Sequence, residues 1–151
     1  RCAVTPWYVA LLILGLVAFA VALWKGGRIE RQAVAVLSVN YVLTIGIDRL
    51  KVPHDVALVA GLDGVTALVF LWLALRYQRW WLLAATAGLV LCTLTWVIGL
   101  LHPGIGFVAV ASAEIGEWAF VYLTLLAGVC ERWLAGETPV RLRLRPQRKT
   151  T

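Results

Sequence analysis

Five long apolar stretches, joined by connections too short for anything but turns, constrain this chain more than any motif in it. They cover residues 7–24, 33–48, 56–75, 81–101 and 107–130, and the connections read KGGRIER, DRLKVPHD, RYQRW and HPGIGF. A helix rising about 1.5 Å per residue needs about 20 apolar residues to cross a hydrocarbon core about 30 Å thick. Each stretch is close to that length. Composition agrees: 62% of the 151 residues are apolar and 15% are charged, with a mean hydropathy of +0.85. These values exclude an ordinary soluble domain, a disordered chain and a disulfide scaffold. The expectation is an all-α polytopic membrane protein with five transmembrane helices. Residues 1–130 form one helical membrane domain, and residues 131–151 form a basic cytoplasmic tail.

Charge orients the spans. Eleven of the fourteen Lys and Arg residues fall on the side holding the first connection, the third connection and the tail; only Arg1, Arg49 and Lys51 fall on the other. Basic residues collect on the cytoplasmic side of a membrane. The expected topology is therefore an outside N-terminus and a cytoplasmic C-terminus in a bacterial-type inner membrane. The net charge of +6 is explained by lipid headgroups, with the tail resting on anionic lipid, and does not call for nucleic acid.

The first stretch contains Ala20-Val21-Ala22, which resembles a signal-peptide cleavage site. Its basic cluster follows the apolar run instead of preceding it, and Trp7, Tyr8 and Trp24 bracket it as interfacial aromatics do. It reads as a span. Cys2, Cys92 and Cys130 show no CxxC or zinc-type spacing, so Cys92 and Cys130 are expected as small packing residues. Tyr77, Trp80, Trp81 and Trp133 mark the cytoplasmic boundary, while Trp72, Trp96 and Trp118 lie within spans as packing residues.

Helices 2–3 and 4–5 are candidates for a duplicated hairpin. Arg31 to His54 and Arg79 to His102 have equal spacing, and a second offset matches Gly64 with Gly116, Val69 with Val121 and Leu71 with Leu123. A parallel repeat would relate the hairpins by an axis along the membrane normal. Coincidence in a Leu-, Ala- and Val-rich alphabet is the other reading.

The acidic residues are the unusual feature. Asp48, Asp55, Asp63, Glu114 and Glu117 lie in or next to the outer half of the spans, with both histidines, His54 and His102, in the outer loops. At helical rise Asp63 lies about 10 Å below the outer boundary and Glu117 about 15 Å. An ionised carboxylate at the centre of a lone helix costs about 2.5–3.5 kcal/mol on insertion scales. These acids must face inward and be protonated, paired or hydrated. Glu114 and Glu117 share a helix face, and Asn40, Thr44 and Asp48 form a polar stripe at i, i+4, i+8. Small-residue pairs Ala60/Gly64 and Ser112/Gly116 would let helices approach at that level. The expected site is an outward-open, acid-lined pocket between spans 2, 3 and 5. Asp48, Asp63, Glu114, Glu117, Asn40 and Thr44 would bind a substrate or ion, and His54, Asp55 and His102 would form the rim. Glu117 is the deepest acid, with Asn40 as its expected partner.

Three functions compete. The first is cation- or proton-linked binding or transport, requiring no cofactor beyond a bound cation. The second is a non-catalytic accessory or assembly subunit, in which the polar residues act as interhelical glue within a homo-oligomer or beside a partner membrane subunit. The third is a metal-dependent membrane enzyme. Against an enzyme, the sequence contains no ExxH, HExxH or GxSxG, and neither histidine lies inside a span. A continuous pore is disfavoured because Ser38, Thr86, Tyr122 and Thr124 are the only polar groups offered by the inner half, and all are neutral.

Overall fold

The computed structural model describes residues 6–50, 55–102, 104 and 106–136. The chain forms five helices: α1 Pro6–Lys25, α2 Arg28–Leu50, α3 Asp55–Tyr77, α4 Trp80–Leu101 and α5 Phe107–Leu134. All five are long and apolar enough to span a bilayer. The protein is a five-span integral membrane protein. The helices overrun the apolar stretches because polar residues such as Arg28–Gln32 continue the helical hydrogen bonding, with Arg28 and Gln32 exposed and Glu30 answered by Arg132. For the same reason α5 continues past Cys130, carrying Glu131 and Arg132 as its last helical turn.

Each helix packs on its chain neighbours, and α1 closes the ring by leaning on α5. Small residues make this closure possible. Gly15, Ala18 and Ala22 are the buried positions of α1. A Cβ on Gly15 would sit 3.0 Å from the Tyr122 ring. Gly128 of α5 lies beneath the fully buried Trp81 of α4, where a Cβ would come within 2.6 Å of the indole. Without an apolar driving force between helices in lipid, such close contacts are the main source of association. α1 is thus an integral member of the bundle, as expected of a span.

The ring is unevenly filled. Leu37, Phe70, Trp81, Leu82, Leu89 and Leu125 crowd its centre toward the end bearing the α1–α2 and α3–α4 connections, here called the basic end. In α2 the buried residues stop at Asn40. Beyond it Tyr41, Val42, Leu43 and Ile45 are exposed to the lipid side. The two hairpins therefore differ: α4 and α5 pack closely along Gly88 and Gly128, whereas α2 and α3 meet less extensively.

Aromatic and cysteine placement departs from expectation at three positions. Trp81 is a core residue, not a boundary anchor, because Gly128 leaves room for its indole inside the ring. Trp72 is exposed, with the Arg76 guanidinium 5.7 Å from its ring centre, so its neighbours are lipid and cation instead of core. Cys92 is buried, but Cys130 is exposed on the outside of α5. Ser112 and Gly116 face outward, with nothing within 4 Å of a Gly116 Cβ. They approach no other helix of this chain. Cys2 lies outside the described residues.

Candidate functional site

Asn40 and Asp63 face one another across the α2–α3 seam where the core ends. Asn40 Nδ2 donates to Asp63 Oδ1 at 2.9 Å and to Thr66 Oγ1 at 2.9 Å. Thr44 Oγ1, one turn along α2, donates to Asn40 Oδ1 at 3.1 Å. Thr66 spends its own proton on the Leu62 carbonyl at 2.9 Å, so its oxygen is left to accept. This chain of donors fixes the Asn40 amide with its NH2 toward the acid. Both amide protons and the carbonyl of Asn40 are engaged. Asp63 is 1% exposed, yet its Oδ2 has no hydrogen-bond partner among the described residues. A buried carboxylate oxygen without a donor is costly. The site is complete except at that oxygen.

Asp63 is one of the residues lining a cleft of about 440 Å³, walled by α1, α2, α3 and α5. Asn40, Thr44, Asp63 and Glu114 supply its polar side; Leu11, Leu16, Phe19, Ile115 and Trp118 are among its apolar walls. Phe19 and Tyr122 meet edge-to-face at 5.7 Å, and Trp118 lies 5.9 Å from Tyr122. These rings stand where the cleft gives way to packed core. The indoles of Trp118 and Trp96 are the polar neighbours of Glu114, although Trp96 Nε1 falls short of a hydrogen bond. Asp63, Glu114 and Glu117 are close enough to interact electrostatically.

Several expected site residues lie elsewhere. Glu117 is not part of the cleft wall, and Asn40 is not its partner. It points along the α4–α5 seam, where Thr95 Oγ1 donates to Oε1 at 2.6 Å and Oε2 lacks a partner. Cys92 is its other close neighbour. Asn40 is committed to α3 because α2 barely touches α5. Asp48 is exposed in the last turns of α2, beyond the cleft. His102 caps the end of α4 through its backbone N–H to Ile98 O and is exposed. Asp55 is the first residue of α3, and His54 lies outside the described residues. Among the described residues, no group of three His, Cys, Asp or Glu is placed to hold a metal ion.

Sequence reasoning missed the contribution of α1, which forms one wall of the cleft. Its small-residue stripe, Gly15, Ala18 and Ala22, was the available signal. Thr66, at i+3 from Asp63, was also legible as a same-face neighbour. A second polar centre went unseen at the basic end. Glu30 is fully buried; it accepts from Gly27 N–H at 2.7 Å and pairs with Arg132 at 3.1 Å. Beside it Arg79 pairs with Glu131 at 3.5 Å. These contacts tie the end of α5 to the starts of α2 and α4. A Cβ at Gly27 would collide with the Arg132 guanidinium.

Of the hydroxyls nearer the basic end, Ser38 and Tyr122 line the cleft, and the other two turn to their own helices. Thr86 and Thr124 bond carbonyls of their own helices, Leu82 O at 2.7 Å and Val121 O at 2.8 Å. Comparison with models of known protein families gives no match, and neither curated proteins nor solved structures give one.

Proposed function

We propose that this protein binds a cation, or couples to protons, at the acid-lined cleft between α1, α2, α3 and α5. The observation that carries this reading is Asp63 Oδ2. It is buried without a donor in a carboxylate whose other oxygen is held in place by a fully committed Asn40. The arrangement leaves a residue of the cleft lining with a carboxyl oxygen that no donor among the described residues answers, and Glu114 adds a second carboxyl to the lining from α5. Acids inside a span are by default functional, because the membrane makes them expensive. The basic-residue distribution favours a cleft opening toward the outer face, with the C-terminus cytoplasmic.

The test uses the purified full chain in lipid nanodiscs. Thermal unfolding is followed with Na⁺, K⁺, Mg²⁺ and tetramethylammonium, for the wild type and for Asp63→Asn. Proteoliposomes of both proteins are assayed in parallel for dye-reported proton movement. Asp63→Asn keeps the acceptor for Asn40 and removes the charge. A stabilisation or proton flux present in the wild type and missing in the variant supports the reading. Folded proteins that behave alike in every assay would sink it.

The accessory-subunit reading has one observation of its own. Ala109, Ser112, Ala113 and Gly116 form an exposed small-residue face on α5. Such a face suits close docking of another transmembrane helix, from a second copy or a partner subunit. Disulfide trapping of Ser112→Cys in membranes would reveal a second copy there.

A further inference from the structure

The shape of the cleft narrows the class of cation, on the premise that Asp63 and Glu114 form a cation site at all. We infer that its ligand is an amphiphilic organic cation, one positive charge on an apolar or aromatic body, entering sideways from the bilayer between α1 and α2.

Size speaks first. A cleft of about 440 Å³ has the volume of a small-molecule site and far exceeds a dehydrated metal ion. Hard cations need six or more oxygen ligands. Here Asp63 and Glu114 are the only carboxyls among the described lining residues, joined by Asn40 and by serine, threonine and tyrosine hydroxyls, and no group of three His, Cys, Asp or Glu is placed to hold a metal ion among the described residues. An inorganic ion would lose its water against leucine and phenylalanine.

Charge speaks second. Among the described residues no Lys, Arg or His lines the cleft, so none of them neutralises the two carboxyls from within its wall. The unpartnered Asp63 Oδ2 is where a positive group would complete the hydrogen bonding or charge balance. Trp118, Tyr122 and Phe19 flank the same space. Aromatic faces attract desolvated cations and also accept apolar surface.

The route in is the third observation. α1 meets α2 far less extensively than it meets α5, and α2 has no buried residue beyond Asn40. Leu16 of α1 and Val42 of α2 line the cleft and are 61% and 65% exposed. The cleft mouth thus lies between two lipid-facing helices. A ligand already dissolved in the membrane reaches Asp63 without crossing the packed core.

Equilibrium binding of tritiated tetraphenylphosphonium to the detergent-purified full chain tests this directly. Saturable binding at one site per chain is expected, competed by decyltrimethylammonium and not by decanol of the same chain length. Asp63→Asn should weaken it at least about tenfold, since the Coulombic attraction between the cation and a poorly solvated carboxylate is lost. Leu16→Trp, a substitution on an exposed position at the mouth, should slow association several-fold while circular dichroism stays unchanged. Equal competition by decanol would overturn the inference, as would binding indifferent to both substitutions. If tetraphenylphosphonium fails to bind but an inorganic cation stabilises the wild type through Asp63, the ligand class is wrong and the cation site stands. If no cation of any kind acts through Asp63, both readings fall.

Discussion

Asn40 has two amide protons and one carbonyl, and every one is bonded: to Asp63, to Thr66 and by Thr44. In a dry environment this residue keeps a carboxylate from being left bare. Asn40→Leu is therefore expected to destabilise the protein by about 1–3 kcal/mol, because it strands Asp63 and Thr66 together. Asn40→Leu combined with Asp63→Leu should recover most of that loss, since two apolar side chains need no partner in lipid. Reversible unfolding in mixed micelles measures both. A double variant no more stable than the single one would show that the polar residues contribute net stability. The i, i+4 relation of Asn40 and Thr44 was legible, because helical periodicity puts such residues on one face. The partner of Glu117 was not. Depth alone suggested Asn40, but the lateral position of α2 gives that role to Thr95.

Among the helices, α4 and α5 owe their fit to glycines facing large residues. Gly128→Ala would place a Cβ within 2.6 Å of the Trp81 indole. Trp81 is fully buried and cannot swing outward. Overpacking of this kind costs about 1–3 kcal/mol. The expected outcome is a clear fall in the thermal midpoint in detergent, with Gly46→Ala as a control, since nothing lies within 4 Å of its Cβ. A midpoint unchanged by Gly128→Ala would mean that the α4–α5 seam can open. The number and approximate position of the helices were readable from hydropathy, but their ends were not. Apolarity reports where the hydrocarbon lies, and helical hydrogen bonding continues for a turn or more into the headgroups, as in Arg28–Gln32 and Glu131–Leu134.

At the scale of the whole molecule, the chain is a ring of five helices, filled at the basic end and open at the other. Glu30–Arg132 and Arg79–Glu131 hold the filled end together. The expected orientation puts that end in the cytoplasm. Reporter fusions after residue 136 and in the α4–α5 connection check it: a cytoplasmic reporter active at the first site and a periplasmic one at the second. The opposite pattern would place the cleft in the cytoplasmic half of the membrane and reverse the leaflet from which a ligand arrives.

The sequence by itself determined the membrane class, the five spans, and the fact that carboxylates lie at depths where they must be answered from within. Those properties follow from composition and from periodicity along one helix, which neighbouring residues fix locally. Only the tertiary structure decided which acid meets which donor, that α1 walls the cleft, and that Glu117 belongs to a different seam from Asp63. Those outcomes depend on which helix stands beside which. That order is set by glycine and alanine contacts such as Gly15–Tyr122 and Gly128–Trp81, between residues far apart in the chain. Five helices of similar apolarity can be arranged in many ways that hydropathy does not distinguish, and close packing selects one of them.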